Sequence, residues 1–208
     1  MYDAQGNFIV FEGIDGSGKS TQAALLAQHL QSEGIPCIQT REPTDSPAGR
    51  LIRSVLTGEL RMNPLALPGL FAADRMEHLL GEGGICQMMS EGKNVLCDRY
   101  YFSSYAYHSL DAPMDWVIGM NSEAARVLRP AVTVFIDVSP EEAIRRIRQG
   151  RDHTELFEKL EMLRRIRENY FTAFEKLKLS ENVAVVDGSR PEEDVAAEIL
   201  RCVSSCFH

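Results

Sequence analysis

The chain has 208 residues, of which 44% are hydrophobic and 25% are charged, and its formal net charge is −8. These proportions are ordinary for a soluble globular protein of one domain, and the acidic balance argues against a general nucleic-acid binder, which usually presents a basic face. No stretch approaches the ~18 apolar residues of a membrane-spanning helix, and the first residues lack the basic start and apolar core of a signal peptide.

The first predicted element is a short buried strand that runs directly into a phosphate-binding motif. The strand Phe8-Ile9-Val10-Phe11 is apolar throughout, and the pattern G-x-x-x-x-G-K-S follows from Gly13 to Ser20. A strand, this turn and an amphipathic helix, in that order, are typical of a P-loop. The predicted phosphate-binding residues are Gly13, Ile14, Asp15, Gly16, Ser17, Gly18, Lys19, Ser20 and Thr21. We therefore predict a nucleoside triphosphate site in which Lys19, a solvent-facing loop residue, meets the β- and γ-phosphates and Ser20 ligates Mg²⁺.

Helices and strands alternate along the rest of the chain. Strands are predicted over residues 35–38, 94–98, 131–137 and 182–187. Helices are predicted over residues 21–33, 47–57, 65–91, 102–109, 114–127, from 140, over 154–178 and over 191–205. Apolar strands that alternate with helices are typical of a parallel sheet covered on both faces. We predict an α/β fold of the P-loop NTPase type, with a five-stranded parallel sheet and helices on both faces, in one domain that spans residues 1–208.

Charged residues follow the predicted strands at the end where ligand sites lie in such sheets. Arg41 comes after the second strand, and Asp98 and Arg99 come after the third. Asp98 has the placement of the acid that holds Mg²⁺ beside a P-loop, so Ser20 and Asp98 are the predicted metal ligands. The arginines are predicted to be guanidinium forks for a second phosphate group, the alternative for each being a structural ion pair.

A helix face offers a second constellation. Phe71, Asp74, Arg75 and His78 recur at i, i+3, i+4 and i+7, so they share one face. An aromatic ring with an arginine one turn later suits a flat heterocycle with an exocyclic carbonyl. The alternative is an ordinary core face.

Taken together, the motifs resemble the thymidylate kinase family. The segments that carry the resemblance lie between about residues 7 and 200, in that family's order, and are residues 11–21, 40–43, 71–75 and 98–107. The resemblance implies that the γ-phosphoryl group of ATP is transferred to dTMP to give dTDP for dTTP synthesis, with Mg²⁺ as cofactor. It also implies a homodimer, whereas the acidic balance and the lack of a long apolar stretch predict that the protein binds neither nucleic acid nor membrane. Another pyrimidine nucleoside monophosphate kinase, such as one that prefers dUMP, and a non-catalytic nucleotide-binding switch remain the alternatives.

The resemblance also assigns an acceptor site by position. The residues implied to bind dTMP are Asp15, Arg41, Phe71, Arg75, Arg99, Ser103, Ser104 and Tyr107. Phe71 is implied to stack on thymine and Arg75 to hydrogen-bond its O4, while the arginines at the strand ends hold the monophosphate. Asp15 is implied to accept from the deoxyribose 3′-hydroxyl, and Tyr107 to sit under C2′, where it crowds out a ribose hydroxyl.

The remaining catalytic cations are predicted in an arginine-rich lid at about residues 146–157. Gly16 stands where some family members carry a basic residue, so the P-loop itself offers Lys19 as its cation. Residues 145–153 contain four arginines, of which Arg148 and Arg151 are predicted to close over the phosphates. The alternative is a solvated charge run. The predicted catalytic residues are Asp15, Lys19, Arg99, Arg148 and Arg151.

The number and spacing of the cysteines predict the cellular compartment of the protein. The five cysteines are scattered, and the pair four residues apart near the C-terminus has no second Cys or His pair to complete a zinc site. We therefore predict reduced structural thiols in a cytoplasmic protein.

Overall fold

The apolar runs of the sequence form a sheet of parallel strands. A computed structural model describes residues 5–147 and 153–207, with the backbone alone for residues 153–157. Its strands are β1 Phe8–Glu12, β2 Cys37–Arg41, β3 Asn94–Asp98, β4 Val132–Asp137 and β5 Val183–Asp187. They lie in the order β2-β3-β1-β4-β5, and every neighbouring pair is parallel. The predicted α/β fold with a five-stranded parallel sheet is confirmed.

Helices cover both faces of this sheet. They are α1 Lys19–Ser32, α2 Pro47–Leu56, α3 Leu67–Leu80, α4 Ile85–Ser90, α5 Tyr101–His108, α6 Met114–Met120, α7 Ser122–Val127, α8 Pro140–Ile147, α9 His153–Leu177 and α10 Glu192–Val203. Alternate β1 side chains enter different cores, because successive residues of a strand point to opposite faces. Ile9 packs in the core that contains Leu26 of α1, whereas Phe8 packs in the core that contains Ile166 of α9.

The long helix predicted over residues 65–91 is wrong. After a 3₁₀ turn at Pro64–Ala66, the chain forms α3 and then α4, with a glycine-rich break between them. Gly83 adopts φ 69°, in the left-handed region that favours glycine. A Cβ on Gly84 would lie 2.8 Å from the carbonyl oxygen of Gly81, so the chain folds back tightly here. The glycines of this segment are the sequence feature that could have predicted the break.

Two other predicted boundaries also differ. The helix predicted over 114–127 is interrupted at Asn121, whose buried side chain donates to the carbonyl oxygen of Val117 at 2.8 Å. The second strand begins at Cys37 and includes Arg41, whereas the sequence predicted residues 35–38. Pro36 lacks the N–H that a strand residue donates to the ladder, and it precedes the strand.

The sheet order fixes where a ligand can bind. β1 lies between β3 and β4, so the crossover connections leave it in opposite directions, and a crevice opens at the carboxyl end of β1. The loop after β1 carries the phosphate-binding motif. All five cysteines are free thiols. None of the helices in the described ranges is long and apolar enough to cross a membrane.

Candidate active site

The P-loop lies at the carboxyl end of the central strand. β1 is buried along its whole length, and α1 begins at Lys19 directly after Gly18, which has φ 97°. The left-handed backbone at Gly18 turns the chain into the helix without a Cβ clash. A cavity of about 330 Å³ lies over this loop and is lined by Asp15, Gly16, Gly18, Lys19, Ser20, Thr21, Asp98 and Arg99. The helix N-terminus faces the same region, so the loop has the geometry of an anion site.

Lys19 differs from the expectation of a solvent-facing loop residue. It is the first residue of α1, only 7% of its surface is exposed, and its Nζ donates to the carbonyl oxygen of Ile14 at 3.0 Å. Burial, reinforced by the charge of Arg99, lowers the pKa of Lys19 to about 7. A bound triphosphate would favour the charged form again, because opposite charges raise the pKa of an amine.

Ser20 and Asp98 lie together, as the sequence predicted. The Ser20 hydroxyl donates to Asp98 Oδ2 at 2.5 Å, although the two residues are 78 positions apart in the chain. The register places Asp98 opposite Phe11 of β1, directly beside the P-loop. A hydroxyl and a carboxylate oxygen are the hard ligands that Mg²⁺ prefers, so the donor set fits this ion.

Arg99 connects the P-loop to two residues of α5 that the sequence predicted for the acceptor site, Ser103 and Tyr107. Its Nη2 donates to Asp15 Oδ1 at 2.6 Å and to the Tyr107 hydroxyl at 3.1 Å, and its Nη1 donates to Ser103 Oγ at 2.9 Å. Its backbone has φ 74°, an uncommon conformation for a residue with a side chain and one that clusters at functional sites. The structure therefore brings Asp15, Arg99, Ser103 and Tyr107 together.

Glu12 supports this constellation and was missed as a functional residue by the sequence analysis. Its fully buried carboxylate accepts from the Tyr170 hydroxyl at 2.8 Å, the Ser103 hydroxyl at 2.6 Å and the backbone N–H of Tyr100 at 2.9 Å. Burial raises the pKa of Glu12 above its usual value. These contacts fix the start of α5 against the P-loop strand. The sequence could have indicated Glu12, because it is an acidic residue at the end of an apolar strand. No sequence pattern indicated its partner Tyr170.

Arg75 lies in a second cluster, with Ser104 and Asn121. Its side chain is 1% exposed, Nη1 donates to Ser104 Oγ at 3.2 Å and to Asn121 Oδ1, and Nε donates to Glu42 Oε2 at 2.9 Å. The structure therefore brings Arg75 and Ser104 together, as expected for residues that share one base site. Asn121 was not singled out from the sequence.

Phe71 packs against the last residue of α5 rather than within the core. Its ring meets that of His108 edge-on, with the centroids 4.9 Å apart, and Phe71 is half-buried. Burial, followed by the charge of Arg75, lowers the pKa of His108 to about 4, so its imidazole is neutral at pH 7. The partly open Phe71 ring is thus available to a flat ligand.

Arg41 lines a second cavity, beside the predicted metal ligands Ser20 and Asp98. This cavity, of about 430 Å³, also includes Ser20, Thr44, His78 and Asp98 in its lining. Arg41 is exposed at the end of β2 and lies opposite Asp98 in the sheet register. Its position fits a cation that binds a phosphate beside the predicted metal ligands.

Asp74 shapes the cavity wall that Arg41 shares. Its carboxylate accepts from the backbone N–H of Thr44 at 2.8 Å and from the Ser46 hydroxyl at 2.6 Å. Ser46 in turn caps the N-terminus of α2, accepting from the backbone N–H of Gly49. Asp74, predicted only as part of a helix face, therefore holds the loop after β2 on α3.

The predicted lid arginines Arg148 and Arg151 lie outside the described residues. Of the others, Arg145 forms an exposed ion pair with Glu142, and Arg146 donates to the carbonyl oxygen of Gly188 at 2.9 Å. A Cβ on Gly16, which has φ 82°, would lie 2.7 Å from the Ala143 carbonyl oxygen. A side chain at Gly16 is therefore excluded unless α8 moves, so this position cannot carry a second cation in the observed arrangement.

Comparisons with known proteins agree in one family. A family model described as thymidylate kinase matches residues 11–199. A relative from Pyrococcus horikoshii named "Probable thymidylate kinase" is 39% identical over 208 residues, with 96% of both chains covered. A relative from Symbiobacterium thermophilum named "Thymidylate kinase" is 38% identical over 203 residues, with 94% of this chain and 92% of the relative covered.

Proposed function

The chain belongs to the thymidylate kinase family, and from that premise we infer that it transfers the γ-phosphoryl group of ATP to dTMP, giving dTDP. The observation that carries this inference is the position of Arg99, whose guanidinium joins Asp15 of the P-loop to Ser103 and Tyr107 of α5. A donor site and an acceptor site thus share one cation. Release of ADP that depends on dTMP is the direct test.

On the donor side, the P-loop holds the triphosphate. Backbone N–H groups of the loop and the first turn of α1 bind the phosphate oxygens, and Lys19 supplies the cation. Ser20 and Asp98 would hold Mg²⁺, which neutralises charge on the phosphates as the γ-phosphoryl group leaves. Phosphoryl transfer needs little covalent chemistry from the protein, so positioning and charge are what these residues contribute.

On the acceptor side, we assign the base and the phosphate to different clusters. Phe71 stacks on thymine while Arg75 and Ser104 face its edge, and Arg41 and Arg99 hold the monophosphate. The 3′-hydroxyl donates to Asp15, and Tyr107 excludes a 2′-hydroxyl by filling its space. The contacts of Arg99 with Asp15 and Tyr107 support this assignment, because all three would surround one sugar phosphate.

The lid assignment remains a prediction of the sequence. Arg148 and Arg151 are proposed to complete the cations around the transferred group, since Gly16 leaves no room for one in the P-loop. A cytoplasmic location, and the lack of nucleic-acid and membrane partners, likewise remain predictions.

Replacing Arg75 by lysine is expected to weaken dTMP binding and to spare ATP. Lysine keeps the buried positive charge beside Glu42, which an alanine would leave uncompensated at a cost of about 3–5 kcal/mol in stability. It cannot reproduce the guanidinium fork. We expect the KM for dTMP to rise ~10-fold, about 1.4 kcal/mol, with the KM for ATP unchanged. Steady-state kinetics in both substrates measure this, and a change in the KM for ATP alone would contradict the site assignment.

A homodimer is proposed to form through exposed leucines of α2 and α3. Leu56 is 61% exposed, and Leu51 and Leu80 are also exposed, whereas Leu79 belongs to the core. α2 and α3 pack against each other, and exposed large apolar side chains on neighbouring helices are typical of an interface. Light scattering is expected to give twice the 23.3 kDa chain mass, and Leu56→Glu to shift the protein toward monomer. Leu179→Glu is the matched control, since Leu179 is 97% exposed and lies before β5. A monomeric wild-type protein at micromolar concentration would refute the dimer.

A further inference from the structure

A buried carboxylate holds the arginine of the base site. Glu42 follows β2, its side chain is 2% exposed, and its Oε2 accepts from Nε and Nη2 of Arg75 at 2.9 and 2.6 Å. Away from water, such charge-assisted hydrogen bonds are stronger than at a surface. The guanidinium also lies over the Tyr100 ring, 5.2 Å from its centroid. The plane and the direction of the Arg75 fork are therefore both fixed.

Glu42 is itself held from its other side. Its Oε1 accepts from His78 Nδ1 at 3.2 Å, and His78 Nε2 lies 2.7 Å from Thr40 Oγ1. Because a carboxylate only accepts, Nδ1 donates to Glu42, and Nε2 lies within hydrogen-bond distance of the Thr40 hydroxyl. The backbone N–H of Glu42 donates to the Asp98 carbonyl oxygen at 3.0 Å. The carboxylate thus has no freedom to follow Arg75 if Arg75 turns.

The contacts of Arg75 within the described residues leave little of its donor capacity unused. Two of its bonds go to Glu42, and Nη1 serves Ser104 and Asn121. A guanidinium has five N–H groups and no acceptor, so what remains for a ligand is one N–H on Nη2. Such a group can donate to a carbonyl oxygen, whereas it cannot donate to the amino group of a pyrimidine, whose nitrogen lone pair is delocalised into the ring.

We propose that Glu42 is the positioning residue that aims Arg75 at the base, and that it thereby makes the acceptor site selective for a carbonyl at C4 of a pyrimidine. This inference rests on the proposed function, in which Arg75 faces the base edge. Thymine and uracil present O4 to the free N–H of Arg75. Cytosine presents an amino group there, which would leave a buried donor facing another donor.

The test compares Glu42→Gln with the wild type in steady-state assays with dTMP and dCMP. The amide keeps the size of the side chain but removes the charge that holds the guanidinium. We expect the KM for dTMP to rise ~10-fold and the ratio of kcat/KM for dTMP to that for dCMP to fall ~10-fold, within the range of couplings between contacting residues. The KM for ATP should not change. Glu42→Asp keeps a carboxylate that is one methylene shorter. Its KM for dTMP and its base selectivity are expected to lie between those of the wild type and Glu42→Gln, and it serves the same comparison if the glutamine variant does not fold.

A double-variant cycle separates positioning from general destabilisation. In an Arg75→Met background there is no fork to aim, so adding Glu42→Gln should leave the KM for dTMP and the base selectivity as they are in Arg75→Met alone. This pair also removes both buried charges together, which proteins tolerate better than the loss of one. Additive effects of the two substitutions would overturn the proposal.

Glu181→Gln is the matched control for losing a buried carboxylate. Glu181 lies before β5, and it accepts from the Tyr101 hydroxyl at 2.6 Å and from Arg129 Nε at 3.3 Å. It should lower the melting temperature without changing either KM or the base selectivity. Wild-type KM and selectivity in a folded Glu42→Gln protein would overturn the positioning role. Failure of the wild-type protein to phosphorylate dTMP would instead overturn the proposed function, so the two failures are distinguishable.

Discussion

Replacing Lys19 by alanine is expected to lower kcat by ~10²–10³-fold, about 2.7–4 kcal/mol, which is the usual effect of removing one preorganised donor to a developing charge. The Lys19 amine is held beside the P-loop by its bond to the Ile14 carbonyl oxygen, close to where we propose that the phosphates bind. Its charge is needed most when the γ-phosphoryl group is in transit. Coupled ADP-release kinetics at saturating ATP and dTMP measure the loss.

The fold should survive this substitution. Burial already disfavours the charged amine and lowers its pKa to about 7, so the folded protein loses little stability when the amine is removed. The melting temperature should therefore stay close to that of the wild type. Lys93→Ala is the matched control, because Lys93 forms an exposed ion pair with Glu91 before β3. Near-normal kcat in folded Lys19→Ala protein would contradict phosphoryl transfer at this loop.

Replacing Arg99 by lysine is expected to lower kcat/KM for dTMP by ~10²-fold, about 2.7 kcal/mol, because an ammonium is a point charge and cannot reproduce a rigid fork. The guanidinium contacts Asp15, Ser103 and Tyr107 at once, and a lysine that reached one of them would leave the others. Both kcat and the KM for dTMP should worsen, since Arg99 is assigned to the acceptor phosphate and borders the transfer point.

The effect of Arg99→Lys must be distinguished from the effect of replacing an arginine by lysine elsewhere in the protein. Arg129→Lys serves as the control, because Arg129 pairs with Glu181 outside the P-loop cavity. It should leave kcat/KM within about twofold of the wild type, as surface substitutions away from a site usually do. If Arg99→Lys behaved like Arg129→Lys, the shared-cation arrangement of donor and acceptor would be wrong.

The sequence predicted the sheet and the P-loop because both are local patterns. An apolar strand followed by G-x-x-x-x-G-K-S specifies strand, loop and helix within about a dozen residues, and the residues after the other strands follow from one rule about parallel sheets. The pairing of Ser20 with Asp98 came from that rule, although they are 78 positions apart. The helix break after Leu80 was missed although glycines mark it, and the break at Asn121 was harder to predict because the apolar pattern continues across it.

Contacts between distant buried polar residues could not be read from the sequence. Glu12 and Tyr170 are 158 positions apart, and Glu42 and Arg75 are 33 apart, so neither pair shares a helix or strand period. The burial of Lys19 was also missed, since a lysine after a glycine-rich loop is usually expected to be open to solvent. In each case the environment of the side chain is formed by helices, strands and loops that are distant from it in the sequence.

Initial rates of ADP release with dTMP, dUMP, dCMP and UMP test the assigned activity most directly. We expect the highest kcat/KM for dTMP. UMP should be poor because Tyr107 is proposed to fill the space of a 2′-hydroxyl, and dCMP should be poor because the proposed Arg75 fork would meet an amino group. dUMP should trail dTMP by ~10-fold or more, the usual contribution of one methyl group in an apolar pocket. A higher kcat/KM for dUMP, dCMP or UMP than for dTMP, or ADP release that does not depend on any acceptor, would contradict a dTMP kinase.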